Sequence, residues 1–85
     1  MRILYFAWVK ERIGVAEEIL DPPAAVATAA QLMDWLAQRS AGHAAAFADR
    51  KLVRVAIDHV HSAPAASVVG AKEVAFFPPV TGGYA

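Results

Sequence analysis

The sequence contains no cysteine. Disulfide staples, thiolate nucleophiles, thiolate metal ligands and persulfide carriage on a side chain are excluded with it. An excess of one charge is missing as well: eight Lys and Arg stand against eight Asp and Glu, and no basic cluster appears. Binding to a phosphate backbone depends on such a cluster, so nucleic acid is not an expected partner. No apolar run approaches the ~20 residues that cross a bilayer. The start, with Arg2 alone ahead of a short apolar stretch broken by Lys10 and Glu11, lacks the form of a secretory signal. A cytoplasmic protein without a membrane partner is the expectation. Gly-rich phosphate loops and any recognisable nucleophile–base pair are also lacking, so the chain is not expected to supply a catalyst of its own. Aromatic residues make up only 9% of a sequence that is 58% hydrophobic, and much of the apolar content is alanine. Alanine builds helices but gains little on burial, so Leu, Ile, Val and Phe carry the core. At 85 residues there is room for one domain of modest stability.

Taken in order, Met1 to Val9 is rich in β-branched and aromatic residues and predicts a strand apolar on both faces, as in the centre of a sheet. Ile3, Tyr5 and Ala7 share one face. Arg2, Leu4, Phe6 and Trp8 share the other, and Arg2 marks it as outward, which makes Phe6 and Trp8 an exposed apolar patch. Lys10 to Gly14 predicts a short helical turn or loop stopped by Gly14. Ala16 to Leu20 predicts a second strand ended by Asp21, Pro22 and Pro23, forming a hairpin with the first. Thr28 with Gln31 is a capping box, in which each side chain satisfies a free N–H at a helix start. The helix it opens runs from Ala29 to about Arg39, with Ala29, Leu32, Met33 and Leu36 on one arc, Gln31, Asp34 and Gln38 opposite, and Trp35 at the border. The alanine-rich segment from Ser40 to Asp49 predicts a second short helix that carries Phe47 inward. Leu52 to Asp58 alternates as a half-buried strand, with Val53, Val55 and Ile57 on one face and Arg54 on the other. His59 and His61 have metal-ligand spacing, but with no third ligand nearby they carry no expectation of a metal. Ser62 to Val69 reads as loop with a minor strand, and Gly70 turns into the last strand, Val74 to Phe77.

That last strand stops at Pro78 because proline has no N–H for a sheet. Pro78 and Pro79 stiffen the chain, Val80 and Thr81 favour extension, and Gly82 and Gly83 remove all bulk. From Pro78 to Gly83 such a thread reaches roughly 20 Å, at about 3.3 Å per residue. Terminal Gly-Gly is compatible with simple fraying or with insertion into a narrow site. The run Glu73 Val74 Ala75 Phe76 Phe77 Pro78 Pro79 Val80 Thr81 Gly82 Gly83 resembles the C-terminus of the small, sulfur carrier subunit of molybdopterin synthase, in the MoaD family of ubiquitin-like proteins. Ile3 Leu4 Tyr5 Phe6 Ala7 followed by Val9 Lys10 Glu11 resembles that family's first strand and turn.

The resemblance implies an α+β fold of the β-grasp type, a mixed sheet of four to five strands packed on one main helix, over residues 1–77, with 78–85 as a flexible tail. A single helix covers one sheet face and leaves the other for solvent or a partner. Strand one and the last strand are expected side by side, since central strands tolerate runs this apolar. The resemblance further implies that an E1-like adenylating enzyme uses ATP to join AMP to the terminal carboxyl, and that sulfur then displaces AMP to leave a thiocarboxylate. Gly83 is the implied carrier and Gly82 gives clearance; in a chain without cysteine, the sulfur sits on a carboxyl rather than a side chain. The implied acceptor is cyclic pyranopterin monophosphate in the large synthase subunit, within a heterotetramer. Partner binding is implied for Phe6, Phe77, Pro78, Pro79, Val80 and Thr81, with His61 at a patch position that is aliphatic in the family. No cofactor is expected on this chain. The family pattern ends at the second glycine whereas Tyr84 and Ala85 follow here, so their removal by a processing peptidase is expected before activation. Two other readings stay open: a sulfur carrier for thiamine, cysteine or another sulfur metabolite, and a binding module whose tail is inert.

Overall fold

A computed structural model describes residues 1–79. The chain forms a five-stranded mixed sheet in the order β2-β1-β5-β3-β4, with β1 (Arg2–Tyr5), β2 (Glu17–Ile19), β3 (Arg54–Ile57), β4 (Val60–Ser62) and β5 (Glu73–Phe77). The two most apolar strands lie in the middle and run parallel, Ile3 beside Val74 and Tyr5 beside Phe76; every other pairing is antiparallel. Helices α1 (Ala7–Ile13), α2 (Ala29–Ala37) and α3 (Ala41–Ala46) pack on one face.

The predicted alternation sorts the two faces. Ile3, Tyr5, Val55, Val74 and Phe76 point inward, all at 3% exposure or less, and meet Leu32, Met33 and Leu36 of α2 and Phe47 beyond α3. Each full burial of such a side chain contributes about 1.5–3 kcal/mol. Helix α2 begins as expected: the Thr28 hydroxyl accepts from Gln31 N–H at 3.2 Å, and Gln31 Oε1 accepts from Thr28 N–H at 3.1 Å. Two further N–H groups of its first turn, at Ala29 and Ala30, donate to the carbonyls of Ala66 and Pro64. The 63–67 loop is thereby tied to the helix start. The short helix around Gly42 exists, and Phe47 is buried behind it. Gly42 itself is required by packing: a Cβ there would lie 2.4 Å from the Arg12 carbonyl oxygen.

Two expectations need correction. The first strand ends at Tyr5, not Val9, because Ala7 takes φ 53° and turns the chain into α1. Trp8 is therefore a helix residue, half-buried against the core with the Arg12 guanidinium 4.4 Å over its ring, and it does not share the outer sheet face with Phe6. Strands β1 and β2 do pair antiparallel, but they are joined through α1 rather than by a tight turn. Helix α1 ends at Gly14, φ 98°, where the expected stop lies. The second correction is at 58–62. Asp58 and His59, at φ 47° and 70°, form a two-residue turn that folds β4 back on β3.

Candidate functional site

The outer face of the sheet follows from the register. Its residues are Glu17 and Ile19 on β2, Arg2, Leu4 and then Phe6 after β1, Glu73, Ala75 and Phe77 on β5, Arg54 and Ala56 on β3, and His61 on β4. Among the described residues no element covers the middle of this face, where Leu4, Phe6, Ala56, Ala75, Phe77 and His61 line an open dent of about 390 Å³.

The face is polarised along the strands. At the end where β1 and β5 begin, Arg2 pairs with Glu17 at 3.1 Å and with Glu73 at 3.5 Å, and His59 Nε2 lies 3.4 Å from Glu73. The Glu17 carboxylate, by hydrogen bond and charge, holds the Arg2 guanidinium above its ordinary range. The Arg2 guanidinium thus offsets part of the charge of both carboxylates. At the other end the surface is apolar. Phe6 is 48% exposed, in extended backbone at the entry to α1, and its N–H donates to the Phe76 carbonyl at 3.1 Å, continuing the β1–β5 ladder one step past the strand. Phe77 is half-buried on the same face. Its ring meets His61 edge-on at 5.2 Å although the two sit two strands apart, roughly 10 Å at 4.7–4.9 Å per strand. Ala56, opposite His61 and diagonal to Phe77 across β3, puts no bulk in the way of the two rings.

Of the site residues named from sequence, Phe6, Phe77 and His61 come together here, and the half-buried Pro78 and Pro79 follow directly from the apolar end. Val80, Thr81, Gly82 and Gly83, with Tyr84 and Ala85, lie outside the described residues. The sequence places Leu4 with Phe6 on the outward face but does not single out Ala56 and Ala75 as lining, although the period-two alternation of β5 sets 75 with 77. Nor does it announce a partly buried polar clasp under the opposite face. Glu18 accepts from the Tyr5 hydroxyl at 2.8 Å and from His43 Nε2 at 2.7 Å, while His43 Nδ1 lies 2.7 Å from Ser40 Oγ. Burial, then the Glu18 hydrogen bond, pushes the Tyr5 hydroxyl well above its usual range. Burial works against ionisation of Glu18, but the hydrogen bonds from His43 and Tyr5 and the charges of His43 and Arg39 outweigh it, leaving the carboxyl below its ordinary range. Among the described residues there is no group of three or more His, Cys, Asp or Glu able to hold a metal, and no helix long and apolar enough to cross a membrane.

A β-grasp sheet with one helix-covered face, one open face and a C-terminal strand leading off that face defines a ubiquitin-like protein. SAMP1 from Haloferax volcanii has the same fold, with a TM-score of 0.69 at 24% identity over 96% of this chain and 97% of that one. A second solved structure, from Pyrococcus furiosus, aligns at a TM-score of 0.70 and 24% identity over 93% of this chain and 95% of that one. The profile of the ThiS family matches residues 3–83, and the chain belongs to that family. It is 39% identical over 83 residues to the molybdopterin synthase sulfur carrier subunit of Haemophilus influenzae, covering 98% of this chain and 99% of that protein.

Proposed function

We propose that this protein is the sulfur carrier subunit of a molybdopterin synthase, bearing sulfur as a thiocarboxylate on Gly83. The observation that carries the reading is the end-to-end similarity to the Haemophilus influenzae sulfur carrier subunit, 39% identical over nearly the full length of both chains. The chemistry of the sequence fits it. With no cysteine to hold sulfur, the carboxyl of Gly83, freed when a peptidase hydrolyses the Gly83–Tyr84 bond and releases Tyr84 and Ala85, is the available site, and an acyl-adenylate made there by an E1-like enzyme from ATP turns that unreactive carboxylate into an electrophile. A sulfur nucleophile then expels AMP. In the large subunit the thiocarboxylate delivers its sulfur to cyclic pyranopterin monophosphate and water restores the carboxylate, two loaded chains serving one dithiolene.

The open face explains why a folded domain accompanies the tail. Ordering the six residues from Pro78 to Gly83 costs on the order of 1–2 kcal/mol each, about 6–12 kcal/mol before the prolines reduce it. A tail alone binds weakly, so docking draws on the apolar end of the sheet around Phe6 and Phe77. In this reading Pro78, Pro79, Val80 and Thr81 form the extended connection, and Gly82 gives clearance in a narrow site. A second reading, a sulfur carrier for another pathway, draws on the match to the ThiS family as a whole.

Sulfur loading tests the proposal. A chain ending at Gly83, incubated with the activating enzyme, ATP and a sulfur donor, should gain mass equal to one oxygen replaced by one sulfur, all of it on the C-terminal peptide. Sulfur on an internal peptide, or none, overturns the assignment of Gly83.

A further inference from the structure

The outer face has its least bulk where a sheet ordinarily has its most. Alanine is a poor strand residue because it packs so little surface against its neighbours. Yet Ala56 and Ala75 stand directly opposite each other on the central strands β3 and β5. Around this pair the side chains are large: Leu4 beside Ala75, Phe6 and Phe77 toward the apolar end, and His61 beside Ala56. The result is a socket floored by two methyl groups and walled by Leu4, Phe6, Phe77 and His61, with Glu73 and His59 at its polar end. The contact of His61 with Phe77 closes its wall across β3. At its margin the charges are unevenly matched. Arg2 is tied to Glu17 and Glu73, whereas Arg54, exposed and opposite Phe77 in the register, donates from Nη1 to the Lys51 carbonyl at 3.1 Å and makes no ion pair among the described residues.

Resting on the reading of this chain as a docking sulfur carrier, we infer that Ala56 and Ala75 are the specificity determinants of the docking face, forming a socket for one apolar side chain of the large subunit with a carboxylate beside it to meet Arg54. The socket does what a flat apolar patch does not. It fixes the register of docking, because a knob seated between Phe77 and Leu4 sets where β5, and so Pro78 and Pro79, point. A residue larger than alanine at either floor position excludes the knob. A partner carrying a cation in place of the carboxylate is repelled by Arg54, which makes discrimination depend on a repulsive element as well as on fit.

The test uses the large subunit of molybdopterin synthase from the same organism as probe, in calorimetric titrations of the chain ending at Gly83 and of its Ala75→Leu, Ala56→Leu and Arg54→Glu variants, each with a thermal melt. Filling the socket should weaken binding roughly 10- to 100-fold, the range expected for overpacking a fitted site. The melting temperature should hardly change, since both alanines face away from the core. Arg54→Glu should slow association and abolish the weakening by salt shown by the unsubstituted chain. Unchanged affinity in both alanine variants, with the unsubstituted chain binding normally, overturns the socket and leaves the sulfur-carrier reading standing. Failure of the unsubstituted chain to bind overturns that reading and the socket with it. If sedimentation shows a dimer of this chain that Ala75→Leu dissociates, the socket receives a second copy and the assignment of its occupant is wrong.

Discussion

Phe76 and Phe77 are adjacent in sequence and opposite in role, and truncating each to alanine separates folding from docking. Phe76 is fully buried, stacked on Tyr5 at 6.4 Å and edge-on to Phe47 at 5.0 Å. Its loss opens a cavity in the core, at a cost of about 3–5 kcal/mol in folding stability. Phe77 is half-buried on the outer face, where its one ring contact among the described residues is with His61 at 5.2 Å. Such a contact is worth about 0.5–1.5 kcal/mol, so Phe77→Ala should lower stability by roughly 1 kcal/mol. Its effect on docking is larger, because an aromatic anchor of this kind costs about 2 kcal/mol or more on truncation, roughly a 30-fold loss of affinity. Urea unfolding gives the first quantity and titration against the large subunit the second. Phe76→Ala should be severely destabilised, and Phe77→Ala should fold and bind poorly. A Phe77→Ala variant that binds normally, or that unfolds as readily as Phe76→Ala, refutes the assignment of the faces.

Gly42→Ala should destabilise by about 1–3 kcal/mol in urea melts, although alanine is ordinarily the better helix residue by about 1 kcal/mol, because the added methyl would sit 2.4 Å from the Arg12 carbonyl oxygen and force α1 and α3 apart. His59→Gly should stabilise by about 1 kcal/mol or a little less, since φ 70° strains a side-chain-bearing residue and the pair with Glu73 involves a histidine side chain that is 82% exposed. Glu18→Gln should be less stable than the native chain at neutral pH. A depressed carboxyl binds fewer protons folded than unfolded, so its contribution is full above the ordinary value of 4.5 and is lost as pH falls below it. The gap between the two melting temperatures should therefore narrow on acidification, and a gap that widens contradicts the clasp.

How far the sequence reveals this molecule depends on how local each signal is. Period-two alternation identified Ile3 and Tyr5 of β1 and Val55 of β3 as sharing the inward faces of their strands, and the Thr28–Gln31 pair identified the start of α2, because both depend on neighbours a few residues away. The end of β1 was not legible. Trp8 and Val9 favour strands by propensity, and nothing local announces that Ala7 takes a positive φ; helix α1 exists because Val9 and the partly buried Ile13 fill the core edge. The 58–59 turn was hidden for a similar reason. Turns of that type usually carry glycine, whereas here the Asp58 carboxylate holds the turn by accepting from the N–H groups of Lys72 at 3.0 Å and Glu73 at 2.9 Å, fourteen and fifteen residues away. The aromatic part of the candidate site was legible and the alanine part was not. Phe6 and Phe77 stand out in any strand, but an alanine in an alanine-rich chain signals nothing until the register sets Ala56 against Ala75.

If Gly83 is the carrier, sulfur held there should end up in the pterin dithiolene. The direct measurement combines the chain ending at Gly83, loaded with isotopically labelled sulfur, with the large subunit and cyclic pyranopterin monophosphate, and follows both the protein and the pterin by mass spectrometry. Label should leave the C-terminal glycine, restoring the carboxylate, and two labelled sulfurs should appear in each pterin product for two chains discharged. A loaded chain that binds the large subunit yet keeps its sulfur, or a pterin product carrying unlabelled sulfur, would contradict it.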